Sequence, residues 1–161
     1  MKTIPEKINV PSFSVAVGLK GSVIWSETIG YQDIKSNIPA SPNTIYRIGS
    51  TSKAVTSTLV AKIFEEGGID LDYSITDEIE NYPSKEWSIT PRQLLSHSAG
   101  IPDYEDLSIH GLYSTLCNCK NYESVTESLS IFNDVDLQYE PNTNYEYTSM
   151  DYILLLSLIH I

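Results

Sequence analysis

The chain has 161 residues, 41% of them hydrophobic, which is enough to bury one core as a single domain. Its formal net charge is −11, from 21 acidic against 10 basic side chains. A surface that acidic repels phosphate backbones and anionic bilayers, so nucleic acid and membrane lipid are excluded as expected partners. Apolar, Tyr-rich segments recur without a Pro/Gly/Ser-rich linker, which argues against disorder and against two linked parts.

The opening residues, Met1-Lys2-Thr3-Ile4-Pro5-Glu6-Lys7, lack the apolar run of a secretory signal. The expectation is a cytoplasmic chain as it stands, or one whose native N-terminus lies upstream. Residues 13–19 alternate, with Phe13, Val15, Val17 and Leu19 on one face, and Ser22-Val23-Ile24-Trp25-Ser26-Glu27-Thr28-Ile29 follows after Lys20-Gly21. That pattern predicts a β-hairpin turning at Lys20-Gly21. A loop rich in Asn, Pro and Ser is expected through Ile38-Pro39-Ala40-Ser41-Pro42-Asn43.

From Ser50 to Glu66 the period becomes helical: Val55, Leu59 and Ile63 form one stripe, Val60 and Phe64 lie beside it, and Gly67-Gly68 stops it. Acidic residues then crowd the stretch from Glu65 and Glu66 through Asp70, Asp72, Asp77, Glu78 and Glu80 to Glu86. No EF-hand spacing runs through them, so they read as a solvated helix end and loop. Thr90-Pro91-Arg92-Gln93 announces a second helix, with Thr90 as cap, Pro91 at the first position and Gln93 completing a capping box; Gly100 and Pro102 end it. Residues 122–133, with Val125, Leu129 and Ile131, are a weaker third candidate. Cys117 and Cys119 are too close in sequence for a good disulfide, and with His110 they fit no familiar zinc spacing, so no metal is expected. Residues 152–161 are apolar nearly all round, too short for the roughly 20 residues a bilayer needs, and predict a core helix. That helix runs uncapped to Ile161, and a lone hairpin is at best marginal; together they lead us to expect the front part of a larger domain.

The candidate chemistry begins at Ser50-Thr51-Ser52-Lys53. Residues three apart on a helix share a face, which sets the Lys53 amine over the Ser50 hydroxyl. Gly49 permits close backbone approach, and the helix N-terminus offers N–H groups to an oxyanion. A serine hydroxyl is a poor nucleophile until a base takes its proton, and lysine serves only when neutral. A bare Ser-x-x-Lys also fits a plain helix cap with Lys53 in water. A Ser-His-Asp site has little support, since no Gly-x-Ser-x-Gly elbow occurs; His97 is expected to fix its turn by hydrogen bonding, and His110 and His160 have no context.

Tyr46-Arg47-Ile48-Gly49-Ser50-Thr51-Ser52-Lys53-Ala54-Val55-Thr56-Ser57 resembles the nucleophile region of class C β-lactamases and their penicillin-binding-protein relatives. Arg92-Gln93-Leu94-Leu95-Ser96-His97-Ser98-Ala99-Gly100-Ile101-Pro102-Asp103-Tyr104 is similar to that family's "LLSHTSGLPDY" stretch, and the hairpin followed by Gly30-Tyr31-Gln32-Asp33 to its opening strands. The resemblance covers residues 9–161. By it, Tyr147 falls at the catalytic tyrosine and Ser149 takes the place of the usual asparagine at the substrate. Ser149 and the stretch Leu129-Ser130-Ile131-Phe132-Asn133-Asp134 resemble the serine β-lactamase-like branch found in mitochondria and in bacterial relatives.

The resemblance implies an α/β fold of the β-lactamase/transpeptidase-like kind: an antiparallel sheet flanked by helices, plus a helical subdomain, with the C-terminal strands missing. Residues 9–70 would hold the hairpin and nucleophile helix, and residues 71–161 the subdomain. It implies a serine hydrolase working by acyl transfer through Ser50, Lys53 and Tyr147 without metal or organic cofactor. The substrate would be a small molecule or peptide with an ester or amide carbonyl. Peptidase or esterase activity is expected over β-lactam hydrolysis, because Ser149 lacks the amide that orients an acylamide side chain. The family's third motif, Lys-Thr-Gly or His-x-Gly, does not occur in the sequence, so the 161 residues are expected to be inactive alone. The alternative is a truncated or degenerate member serving as a binding or scaffold module, which Ser149 and Asp151 (where the family usually has Gly) also suit. Family members are often secreted or periplasmic, and the sequence leaves the oligomeric state open.

Overall fold

The computed structural model describes residues 10–79, 82–103 and 122–160. Glu80, Tyr104, His110, Cys117, Cys119 and Ile161, all singled out above, lie outside the described residues. The chain divides into two compact units, one up to Ile48 and one from Gly49.

The first unit is a sheet in the order β1-β2-β3. β1 (Ser12–Leu19) and β2 (Ser22–Asp33) form the expected antiparallel hairpin, with Leu19 opposite Ser22. Lys20 and Gly21 both take positive φ, 49° and 80°, the turn geometry that matches the strands' own twist. The register slips between Val17 and Gly18. The expected loop holds a short strand instead: β3 (Ile38–Pro39) pairs with β2, Tyr31 opposite Pro39 and Asp33 opposite Ile38. Its proline lacks an N–H, and a two-residue edge strand tolerates that loss.

The second unit carries the core. A 3₁₀ turn, Gly49–Thr51, leads into α1 (Ser52–Glu65). Gly68 N–H donates to Ile63 O and Gly67 N–H to Phe64 O, each at 2.9 Å, the paired bonds that close a helix at glycine. The expected apolar stripe is not the buried one: Val55, Leu59 and Phe64 are exposed, whereas Val60 is fully buried and Lys53, Thr56, Ser57 and Ile63 are half-buried. The inward side of α1 is thus largely polar.

α2 (Pro91–Leu95) has the capping box read from sequence, with Thr90 Oγ1 accepting from Gln93 N–H and Gln93 Oε1 accepting from Thr90 N–H. α3 (Val125–Ser128) is shorter than expected and continues as a 3₁₀ turn through Ile131, with Ser124 as its cap. α4 (Ser149–Leu158) starts three residues before the apolar run, because Thr148 Oγ1 accepts from Met150 N–H at 3.1 Å. It buries Met150, Asp151, Leu154, Leu155, Ser157 and Leu158, while Tyr152, Ile153 and Leu156 stay half-buried. Around it pack Ile75, Ile79, Tyr82, Ile89, Leu94, Ile101, Leu129, Ile131 and Phe132, each full burial contributing about 1.5–3 kcal/mol for a large apolar side chain.

Gly100 ties α2 to the chain before α4. At φ +82° it accepts Gln138 N–H at 2.8 Å, and a Cβ there would sit 2.4 Å from Tyr139 O, so only glycine fits. In the acidic stretch, Glu65, Glu66, Asp70, Asp72, Glu78 and Glu86 are exposed. Lys62 lies 3.2 Å from both Glu65 and Glu66, and Arg92 grips Asp72 bidentately at 2.7 and 2.8 Å. That grip holds the Asp72 carboxyl below its ordinary range. No group of acidic, His or Cys side chains among the described residues is arranged to hold a metal, and no described helix is long and apolar enough to cross a membrane.

Candidate active site

Ser50 stands in the 3₁₀ turn before α1, one residue ahead of the N-cap Thr51, which makes no side-chain bond to the first-turn N–H groups. Gly49 takes φ +54°, and a Cβ there would meet nothing within 4 Å; glycine therefore serves the turn's conformation rather than a close approach. Ser52 Oγ donates to Gly49 O and tightens the same turn.

Lys53, on the first turn of α1, does not point into water. Its Nζ donates to Ser50 Oγ at 3.2 Å, to Tyr147 OH at 2.8 Å and to Ser149 Oγ at 3.1 Å. An ammonium has three donors, and three hydroxyl oxygens take them. The Nζ also sits 4.6 Å from the Tyr147 ring centroid and 5.7 Å from that of Tyr152, within range of the ring quadrupoles. All four residues singled out from sequence thus converge on one point, brought there by the start of α1 and the segment entering α4. The hydrogen bond from Lys53, with a smaller one from Ser50, holds the Tyr147 hydroxyl below its ordinary pKa.

The site opens on a depression of about 330 Å³ whose lining includes Ser50, Lys53, Ser149 and Tyr152 together with the apolar Ile153 and Leu156. Ser50 is exposed and Tyr147 retains 45% of its surface, so solvent reaches the polar cluster.

Two neighbours were not read from the sequence as parts of the site. Tyr152 lies beneath Lys53 and shares a hydrogen bond of 2.8 Å with Ser57 Oγ while donating to Leu95 O at 3.3 Å, so it cross-links α4 to α1 and α2. Its place five residues after Tyr147, one turn into a helix, was the available signal. Asp151 is buried to 1% exposure and meets His97 Nδ1 at 2.9 Å. Burial pushes its carboxyl up to about 6, against the downward pull of the His97 hydrogen bond. His97, expected to hydrogen-bond within its own turn, sits there at φ +55°, and its ring instead meets a partner 54 residues away.

A family model described as Beta-lactamase matches residues 1–160. Over 107 residues the chain is 37% identical to the serine beta-lactamase-like protein LACTB, mitochondrial, of Bos taurus, a match covering 63% of this chain and 19% of that protein. It is 29% identical over 161 residues to Protein flp of Staphylococcus aureus, covering 93% of this chain and 30% of that one. Among solved structures, the octameric penicillin-binding protein homologue from Pyrococcus abyssi superposes with a TM-score of 0.74 at 28% identity, covering 97% of this chain and 36% of that one. The chain therefore spans well under half the length of each of these relatives, and it shares their β-lactamase/transpeptidase-like fold.

Proposed function

The chain belongs to the beta-lactamase family, and from that premise we propose that it acts as a serine hydrolase by acyl transfer, with Ser50 as nucleophile, Lys53 and Tyr147 as proton carriers and Ser149 at the substrate. One observation carries the reading: Lys53 Nζ lies within 3.2 Å of the Ser50, Tyr147 and Ser149 oxygens at once. The substrate is a small molecule or peptide presenting an ester or amide carbonyl. Ser50 Oγ bonds to the carbonyl carbon as its proton passes to the Tyr147 oxygen, which the Lys53 hydrogen bond makes a better resting place for negative charge, or to Lys53 when that amine is neutral and keeps a lone pair. The Ser50 backbone N–H, in the 3₁₀ turn just ahead of α1, serves as a donor to the developing oxyanion near the positive end of the helix. As the carbon–leaving-group bond breaks, Tyr147 returns the proton to the departing oxygen or nitrogen. Water then attacks the acyl-serine and releases the acid. No step requires a metal or organic cofactor.

Two features shape the rate. Ser149 offers a hydroxyl already engaged by Lys53 rather than an amide, so an acylamide side chain finds no matched pair of partners and β-lactams lose their orienting contact. The exposure of Ser50 and Tyr147 leaves the oxyanion in a high dielectric, where each hydrogen bond is worth less. The missing third motif argues for an inactive chain, but the cluster assembled around Lys53 argues instead that the 161 residues acylate and then turn over very slowly.

With p-nitrophenyl acetate the expected result is a burst approaching one nitrophenolate per chain, then slow release. Nitrocefin, a β-lactam, should stay at background. Tyr147→Phe should slow the burst about 10²–10⁴-fold. Faster cleavage of nitrocefin than of the ester would overturn the substrate assignment. A burst unchanged by Ser50→Ala would remove Ser50 as nucleophile, and no burst at all would favour a binding module.

A further inference from the structure

We propose that His97 and Asp151 form a buried positioning pair that holds Tyr147 in place over Lys53. The inference rests on the reading of Ser50, Lys53 and Tyr147 as the reacting groups. Tyr147 needs such a hold, because it lies in irregular chain just before α4 and keeps nearly half its surface in solvent.

His97 supplies the hold in two ways, through its carbonyl and through its ring. Its carbonyl oxygen accepts Glu146 N–H at 3.0 Å, fixing the residue before Tyr147. Its ring lies against the Tyr147 ring, centroids 4.6 Å apart and planes tilted by 50°. Its Nδ1 lies 3.5 Å from the nitrogen of Thr148, the residue after, close enough to pack but open to that N–H only when Nδ1 carries no proton. The imidazole packs as well on Tyr152, 5.2 Å between centroids, and meets Tyr145 edge-on at 6.1 Å. An imidazole so placed has little freedom left except rotation about its own bonds, and Asp151 Oδ2, 2.9 Å from Nδ1, removes that.

Asp151 is otherwise hard to explain. It occupies the first turn of α4 at 1% exposure, and its Oδ1 has no hydrogen-bond partner among the described residues, a costly arrangement for a carboxylate in a core. Among the described residues, the charged and titratable groups that act on it are His97, Lys53, Asp103, Tyr82 and Tyr139. Lys53 and His97 favour its ionised form, whereas burial and Asp103 oppose it. With the carboxyl ionised, Nδ1–H donates to Oδ2 in a charge-assisted bond that locks the ring under Tyr147; with it protonated, that bond is neutral and weaker. The carboxyl changes state at a pH of about 6, so the hold on Tyr147 should tighten as pH rises through that value.

The test is the second-order rate of Ser50 labelling by a fluorophosphonate from pH 5 to 8, on the 161-residue chain. Wild type, Asp151→Asn, His97→Asn and Ser50→Ala would be compared, with a thermal melt of each. Asparagine is chosen at 97 because it tolerates the left-handed backbone there. The expected result is a step in the wild-type profile near pH 6 that is missing in Asp151→Asn, with labelling by His97→Asn down about 10-fold or more, as displacement of a reacting group by a fraction of an ångström demands. A merely structural pair would lower the melts without removing the step. Should His97→Asn fail to fold, the isosteric Asp151→Asn profile decides alone. The inference is overturned if Asp151→Asn keeps both the wild-type rate and the wild-type step. Labelling of wild type that misses Ser50, or that survives Ser50→Ala, overturns the parent reading instead, and the pair's role with it.

Discussion

Replacing Lys53 by alanine should slow acylation of Ser50 by a fluorophosphonate about 10³-fold, within the range that a positioned proton carrier contributes. Lys53 Nζ is the hub of the cluster: it meets the nucleophile at 3.2 Å, Tyr147 OH at 2.8 Å and Ser149 Oγ at 3.1 Å. Without it, Ser50 loses the amine 3.2 Å from its hydroxyl and Tyr147 loses the first cause of its lowered pKa, so both routes for the serine proton weaken together. Lys53→Arg separates charge from proton transfer. A guanidinium keeps the positive charge but does not give up its proton in a protein. If Lys53 takes the proton, the arginine variant is as slow as the alanine one; if Lys53 only supports a Tyr147 phenolate, arginine retains much of the wild-type rate. Pseudo-first-order labelling of the three proteins at fixed pH measures this. Equal rates in all three would show that the convergence on Lys53 has no kinetic meaning.

Asp151→Asn is expected to change stability in a pH-dependent way. The carboxyl titrates near 6 in the folded chain against 3.8 ordinarily, chiefly because it is buried. The folded state therefore holds this proton more tightly than the unfolded one. The stability that protonated Asp151 contributes is complete below pH 3.8 and is lost as pH rises through about 6. Asparagine is neutral throughout, so relative to wild type the variant should gain on the order of 3 kcal/mol between pH 4 and pH 7.5. For a chain of this size that is roughly 6–12 °C in Tm. Paired thermal melts across that range would show it. A difference independent of pH would mean that Asp151 titrates as an exposed carboxyl does.

Local signals were legible wherever short-range chemistry decides the outcome. The Lys20-Gly21 turn needs two residues at positive φ, and the Thr90-to-Gln93 capping box closes within one helical turn, so each is written in a few adjacent residues. The Ser50-Lys53 spacing was equally plain, and motif order brought in Tyr147 from 94 residues away. What periodicity could not give was the direction a helix faces. Val55, Leu59 and Ile63 make the more apolar stripe of α1, yet the packing that forms the site turns Val60 inward together with Lys53 and Ser57, because Lys53 and Ser57 bond to Tyr147 and Tyr152 on the α4 side. The strand at Ile38–Pro39 was hidden because two residues, one of them proline, carry no alternation to read. Asp151 looked only like a departure from a glycine, since its meaning lies in an imidazole 54 residues earlier in the chain.

The central claim is that Ser50 is a nucleophile activated by the groups gathered around Lys53. Intact-protein mass spectrometry after exposure to a fluorophosphonate, with the adduct mapped to its peptide, tests it most directly. The account predicts one adduct per chain, carried on Ser50, absent in Ser50→Ala and strongly reduced in Lys53→Ala. An unmodified mass from soluble, folded chain, or an adduct that persists in Ser50→Ala, would contradict it.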